Sequence, residues 1–278
     1  MRGKSRVGWK IITIFAGGMR KEPELVYYDL HEDVVGFSTT RQGGCSVGNY
    51  AAFNINHYCG DDEEAIRVNR GLLCQTLGIS DERLILPHQV HRTEVARIDE
   101  AFFQCTDTER AQRLEGIDAV MTDLQGVCIG VSTADCIPIL LYDSRHRAIA
   151  AIHAGWRGTV SRIAEKALAE MSAAYGTQPQ DVTAQIGPGI SLDSFEVGDE
   201  VYEAFAAAGF AMQDISERRG KWHIDLPECN RRQLVAMGVP ETRIAMSGIC
   251  TVKEHTRFFS ARRLGIQSGR IYTGILMK

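Results

Sequence analysis

Four short apolar runs crowd the middle of the chain, at 119–121, 127–131, 137–142 and 148–153. None reaches membrane-spanning length, and all are nearly continuous, the pattern of strands buried on both faces. Strands of that kind need cover on each side. The rest of the sequence offers it. Further strands are expected at 25–28, 34–38, 83–86, 93–98, 182–186, 244–247 and 271–276, and helices at 63–77, 159–175 and 196–208, with another after Asp225. Asp62 caps the first helix and Gly78 stops it, Thr159 and Gly176 do the same for the second, and Pro227 stands in the first turn of the last. The polar stretch 39–48 is expected as a Gly-rich loop and 99–116 as a loop or irregular helix. No Pro/Ser-rich linker and no repeat divides these elements. A chain of 278 residues buries enough surface to fold without a disulfide or metal staple. The expectation is one mixed α/β (α+β) domain.

The first residues stand apart. Arg2, Lys4, Arg6 and Lys10 precede an apolar stretch at 11–16, a faint likeness to a signal peptide without a convincing cleavage site. Gly17 and Gly18 follow, and Met19 opens a more ordinary sequence. Residues 1–18 are therefore expected to be a non-core extension, and 19–278 the domain. Lys and Arg number 31 against 35 Asp and Glu, a formal net charge of -4, which argues against a strongly cationic nucleic-acid binder. The eight cysteines are scattered without a CxxC pair, as expected of reduced thiols in a cytoplasmic protein.

The residues with most chemistry are His91, Cys136 and His153, all at expected strand ends or in adjoining turns. Two imidazoles and a thiolate suit Zn²⁺, and copper accepts the same donors. Three protein ligands would leave one position open, the catalytic arrangement in which a metal activates water. Spacing does not decide the matter. A buried cysteine with two core histidines, or a Cys136/His153 nucleophilic dyad, fits the same residues. Asp135 adjoins Cys136 and is read either as a general acid or base or as a turn residue. Arg41 lies in Ser38-Thr39-Thr40-Arg41-Gln42-Gly43-Gly44, read either as glycine backbone and guanidinium that could meet phosphate, without P-loop spacing, or as a flexible hairpin-like loop with a solvated Arg. In His153-Ala154-Gly155-Trp156-Arg157-Gly158-Thr159 a strand runs into a helix start, with Trp156 set either for a flat ligand or for the core and Arg157 either for a charged ligand or for a surface carboxylate. Ser260, Arg262, Arg263 and Arg270 make the C-terminal segment basic, a solvated face or a further phosphate contact.

Taken in order, these motifs resemble one family. Phe37–Gly44, Phe53-Asn54-Ile55-Asn56, Gly60-Asp61-Asp62, Asn69-Arg70, Gln89-Val90-His91 and Thr133-Ala134-Asp135-Cys136-Ile137-Pro138 come first. The stretch at 153–159, Ile186-Gly187-Pro188-Gly189-Ile190, Glu196-Val197-Gly198, Cys250-Thr251 and Phe258–Arg263 follow. The set is similar to the laccase-domain, or multicopper polyphenol oxidase-like, family, whose members are described as purine nucleoside phosphorylases with broader purine activity. The resemblance implies mixed β-sheets packed as a sandwich and flanked by helices, and Zn²⁺ on His91, Cys136 and His153. It implies phosphorolysis of adenosine, inosine or methylthioadenosine, and deamination of adenosine. In that scheme Asp135 shuttles the proton, and Arg41, Arg157 or Arg263 holds phosphate. Three positions depart from the pattern: Arg92 replaces a glycine, Val252 or Lys253 a second cysteine, and Ala52 a serine. With eight histidines and no His-x-His pair, a four-copper oxidase ranks low. A metal-free thiol hydrolase and a non-catalytic binding protein compete with the purine reading.

Overall fold

A computed structural model describes residues 22–278; the expected extension at 1–18 lies outside them. Two sheets carry the molecule. The six-stranded sheet runs in the order Ile244–Met246, Val182–Ile186, Ile137–Asp143, Ala148–Ala154, Ala119–Thr122 and Val95–Arg97. The five-stranded sheet runs Leu25–Tyr28, Val34–Thr39, Ile271–Met277, Cys128–Thr133 and Leu84–Ile85. Both mix parallel and antiparallel pairs. A small third sheet joins Glu196–Val197, Lys221–Ile224 and Ser216–Arg219.

The two-residue period of a strand sorts the apolar runs into layers. Val120, Ile129, Val131, Leu140, Tyr142, Ile149 and Ala151 pack between the two large sheets. Ile137, Ile139, Leu141, Ala150 and Ile152 turn the other way, onto the helices Ile163–Tyr175 and Leu226–Ala236. On the far side Phe37, Cys128 and Tyr272 pack against Leu73 and Cys74 of the helix Glu63–Leu77. The result is a sandwich of sheets flanked by helices. The same alternation sets the site. Cys136 shares the parity of Leu140 and Tyr142, Thr133 that of Ile129 and Val131, and His153 that of Ile149 and Ala151, so all three belong to the inter-sheet side at one end of the sandwich.

The helix at 63–77 forms as its caps demand: the Asp62 carboxylate accepts from Ala65 N, and Gly78 closes it in the left-handed conformation. Three expectations need correction. The helix expected at 159–175 is two, Trp156–Val160 and Ile163–Tyr175, with Arg162 left-handed between them. Thr159 is therefore no N-cap. It is buried, and its Oγ1 and carbonyl accept from Asn230 Nδ2 and Gln233 Nε2 of the neighbouring helix. The helix expected at 196–208 starts later, as Asp199–Ala207, because Glu196 and Val197 pair with His223 and Trp222 as a strand. The stretch 99–116 contains two short helices, Glu100–Phe103 and Asp107–Leu114; a Thr106/Glu109 capping box starts the second.

Candidate metal centre and its cavity

His153 ends a strand and is buried, Cys136 is half-buried just before the Ile137–Asp143 strand, and His91 is exposed in the loop before Val95–Arg97. Their ligating atoms lie within 4.8 Å of one another. His91 Nε2 stands 3.8 Å from Cys136 Sγ, and the two imidazole rings meet edge to face at 4.7 Å.

A residue without any sequence motif, Asp118, holds this cluster together. It is fully buried, and its carboxylate accepts from the backbone N–H groups of Val90, His91 and Arg92 at 3.2, 3.0 and 2.7 Å. Its Oδ1 also meets His153 Nδ1 at 2.7 Å. This leaves Nε2 of His153 as the outward nitrogen, the arrangement by which a carboxylate orients a ligating histidine. The same contacts offset the cost of His91's left-handed backbone (φ 62), about 1–2 kcal/mol for a residue with a Cβ. The one signal in the sequence is a carboxylate directly before the apolar strand Ala119–Thr122. An ionised group in a core requires partners of this sort. Gln89 clamps the neighbouring strand end, donating from Nε2 to Ser132 O and accepting from Ser132 N. Gly155 completes the packing, since a Cβ there would lie 3.0 Å from both Cys136 Sγ and His91 Cδ2.

The charges reinforce one another. Burial raises the Cys136 thiol, but His153 and His91 outweigh it and draw the group down to about 6. Burial lowers His153, yet Cys136 and Asp118 lift it to about 9. Burial likewise opposes ionisation of Asp118, whereas His153 and the N–H groups of Arg92 and Val90 hold its carboxyl below the ordinary range. The directions of these shifts favour a thiolate beside an imidazolium backed by a carboxylate.

The cluster opens into a cavity of about 220 Å³. Its wall includes Asn56, Tyr58, Cys59, Gln89, Ser132, Thr133 and Arg270. Tyr58 stacks on His88 at 4.2 Å, and His88 in turn meets Glu115 at 2.8 Å. On its other side His91 borders a more open groove of about 450 Å³ with Arg92, Trp156 and Arg157, where the Arg157 guanidinium lies 4.3 Å over the Trp156 ring.

The remaining expected residues are placed as follows. Asp135 is left-handed (φ 88), and its carboxylate accepts from Thr251 Oγ1 and Arg262 N, both at 2.7 Å. Arg41 donates to Ala51 O and His255 O, with the Phe259 ring beneath its guanidinium. Arg263 donates from Nε to Val252 O. None of these three lines the cavity, whereas Arg270 does.

Comparison with known proteins gives this geometry a family. The model described as "Multi-copper polyphenol oxidoreductase laccase" matches residues 35–278. The chain belongs to this laccase-like family. A relative from Bacteroides thetaiotaomicron named purine nucleoside phosphorylase is 50% identical over 250 residues, covering 89% of this chain and 93% of its own. Another, named adenosine deaminase RL5 and from an unknown prokaryotic organism, is 48% identical over 250 residues, covering 89% and 95%. The crystal structure of YlmD from Geobacillus stearothermophilus superposes with a TM-score of 0.84 at 29% identity, covering 95% of this chain and 99% of that one. The family description speaks of several coppers. Among the described residues of this laccase-like chain, His91, Cys136 and His153 form the one cluster of three or more potential ligands. No helix among them is long and apolar enough to cross a membrane.

Proposed function

We propose that the chain is a zinc-dependent purine nucleoside enzyme. It phosphorolyses adenosine, inosine or methylthioadenosine to free base and the corresponding sugar 1-phosphate, and it deaminates adenosine to inosine. The observation that carries this reading is the His91/Cys136/His153 cluster opening into a cavity with an aromatic wall and an arginine, in a chain half identical to a relative named purine nucleoside phosphorylase.

The donor set fits zinc. Tetrahedral ligation at ordinary bond lengths separates nitrogen from sulfur by about 3.6 Å, and His91 Nε2 and Cys136 Sγ already stand 3.8 Å apart. His91, Cys136 and His153 would hold the zinc, which would supply a Lewis acid at the cavity. The protein does the rest. Asp118 fixes both histidines, directly through His153 and through the backbone at His91. Tyr58, which meets both His57 and His88, places an aromatic ring in the cavity wall beside the purine. Arg270 is the arginine in the cavity wall; its Nη1 and Nη2 donate to the Ser268, Gly269 and Ile266 carbonyls, so its place in the wall and its remaining N–H donors are what support it as the phosphate contact over Arg41 or Arg263. Arg157 faces the outer groove. The doubly engaged Asp135 carboxylate supports a positioning role for the Cys136 segment; a proton shuttle there would use the lone pairs that Thr251 and Arg262 leave free. Asp135→Asn should retain zinc and lose most activity. A pH–rate profile separates the roles, since a shuttle moves an inflection and a positioning residue does not.

The thiolate–imidazolium pair of Cys136 and His153 also supports a second reading, a metal-independent thiol hydrolase. Chromatography of products from adenosine and inosine, each with and without phosphate, decides between them. Phosphate-dependent free base and ribose 1-phosphate establish phosphorolysis, and phosphate-independent inosine from adenosine establishes deamination. No product from zinc-loaded protein rejects the purine reading. Turnover that survives chelation but is blocked by alkylation of Cys136 favours the hydrolase.

A further inference from the structure

We propose that Ser132 and Thr133 are specificity-determining residues whose hydroxyls hydrogen-bond two different polar groups of the ribonucleoside seated in the cavity. The proposal rests on the purine nucleoside reading above and specifies how the site would recognise the sugar.

Ser132 is 5% exposed and Thr133 1%, and neither hydroxyl has a hydrogen-bond partner in the protein. Seven buried side-chain atoms share that condition among the described residues, and these two alone belong to the wall of the cavity that holds the metal cluster. Buried hydroxyls without partners are costly to keep, so native proteins rarely leave them at sites where packing alone matters. Here their backbone is also fixed in place. Gln89 clamps both the N–H and the carbonyl of Ser132, and Thr133 pairs with Ile271 in the same sheet. Both oxygens are themselves covered, so a side-chain rotation on this rigid strand end is what brings each hydroxyl to the ligand.

Neighbouring residues on a strand point to opposite faces. Thr133 shares the inter-sheet face of Ile129 and Val131, and so lies on the side of the metal cluster. Ser132 shares the face of Cys128, which packs in the layer beneath the helix Glu63–Leu77. The two hydroxyls therefore cannot read the same ligand atom. A ribonucleoside carries hydroxyls at the 2′ and 3′ positions, enough to satisfy both, and methylthioadenosine, which lacks the 5′ hydroxyl, keeps them. A site built to bond a substrate hydroxyl discriminates strongly against the analogue that lacks it.

The test compares kcat/KM for adenosine and its 2′-, 3′- and 5′-deoxy analogues in zinc-loaded wild type, Thr133→Val and Ser132→Ala. Wild type should disfavour the 2′- and 3′-deoxy analogues. Each variant should lose about tenfold of the discrimination against one analogue, and the two variants against different ones. Thr133→Ser, which keeps the hydroxyl, should keep the preference. Because the replaced hydroxyl has no partner in the protein, Thr133→Val should melt no lower than wild type. The proposal is overturned if each variant slows all four substrates by a common factor, if the ratios stay at wild-type values, or if Tm falls by several degrees. A wild type that turns over none of the four overturns the purine reading itself, and this proposal with it; unchanged ratios in active variants overturn the hydroxyl assignment alone.

Discussion

The loop that carries His91 and the loop that carries Arg41 are each held by one buried polar side chain. Asp118 gathers three successive N–H groups around His91 and continues to His153. Asn69 donates to Ser46 Oγ, Ala52 O and Asn54 O and accepts from Cys45 N around the second loop. The difference lies in what is left over. Asp118 can only accept, so the order it imposes passes outward to two imidazoles, through the ring Nδ1 of His153 and the backbone of His91. Asn69 both donates and accepts, and closes the loop on itself. Arg41 then donates from Nε and Nη1 to the Ala51 and His255 carbonyls. A buried charge has here built a reactive surface, whereas a buried amide has built a scaffold.

The largest expected effect breaks the reactive side. Cys136→Ala should lose bound metal and turnover together, read by metal analysis and product formation on the same sample. A metal-replete, active variant removes Cys136 from the ligand set. Next, the two hubs should fail differently. Asp118→Asn should weaken metal binding about 10–100-fold while the chain still folds. Asn69→Ala should lower unfolding stability by about 3 kcal/mol and leave metal stoichiometry unchanged. The reverse pattern, metal lost from Asn69→Ala and kept in Asp118→Asn, would erase the distinction.

The pH dependence sharpens the same point. With Cys136 drawn down to about 6 and His153 raised to about 9, thiolate and imidazolium are favoured in the free protein between those values. A metal must then displace the His153 proton. Affinity should fall about tenfold per pH unit from 9 to 6, and more steeply below 6 as Cys136 also protonates. Competition titrations with a chromophoric chelator measure both slopes. A flat profile from pH 9 to 6 would show that His153 carries no proton to displace. The smallest effect belongs to the scaffold: Arg41→Gln should cost about 1 kcal/mol of stability and leave the phosphate KM alone. A raised phosphate KM would return Arg41 to the substrate.

Most of the sandwich was legible because its strands announce themselves. The runs from 119 to 153 are apolar enough that no helical or solvent-facing alternative competes, and the Asp62 and Gly78 caps mark one helix to the residue. Legibility fails where tertiary contacts override local pattern. The hairpin Ser216–Arg219 with Lys221–Ile224 is charged, lacks alternation at its tip and turns on Gly220 (φ 85). The break at Arg162 follows from Thr159 being buried against Asn230 and Gln233, partners that lie some seventy positions further along the chain. In the site, residue chemistry and family resemblance drew attention to His91, Cys136 and His153. Gln89 and Thr133 stand in the family motifs with no role attached, and Asp118 and Ser132 in none; clamping a strand end, gathering backbone N–H groups and carrying a buried unpartnered hydroxyl have no local sequence pattern. Arg41 and Arg263 show the converse: guanidinium groups that look free in a sequence donate to carbonyls once the chain closes around them.

The most direct test of the metal-centred account is a zinc titration of chelator-stripped protein, with bound metal and purine release from inosine in phosphate followed together. The account predicts no turnover without metal, activity rising in proportion to bound zinc, and saturation at one zinc per chain. Full phosphorolysis by metal-free protein would contradict it.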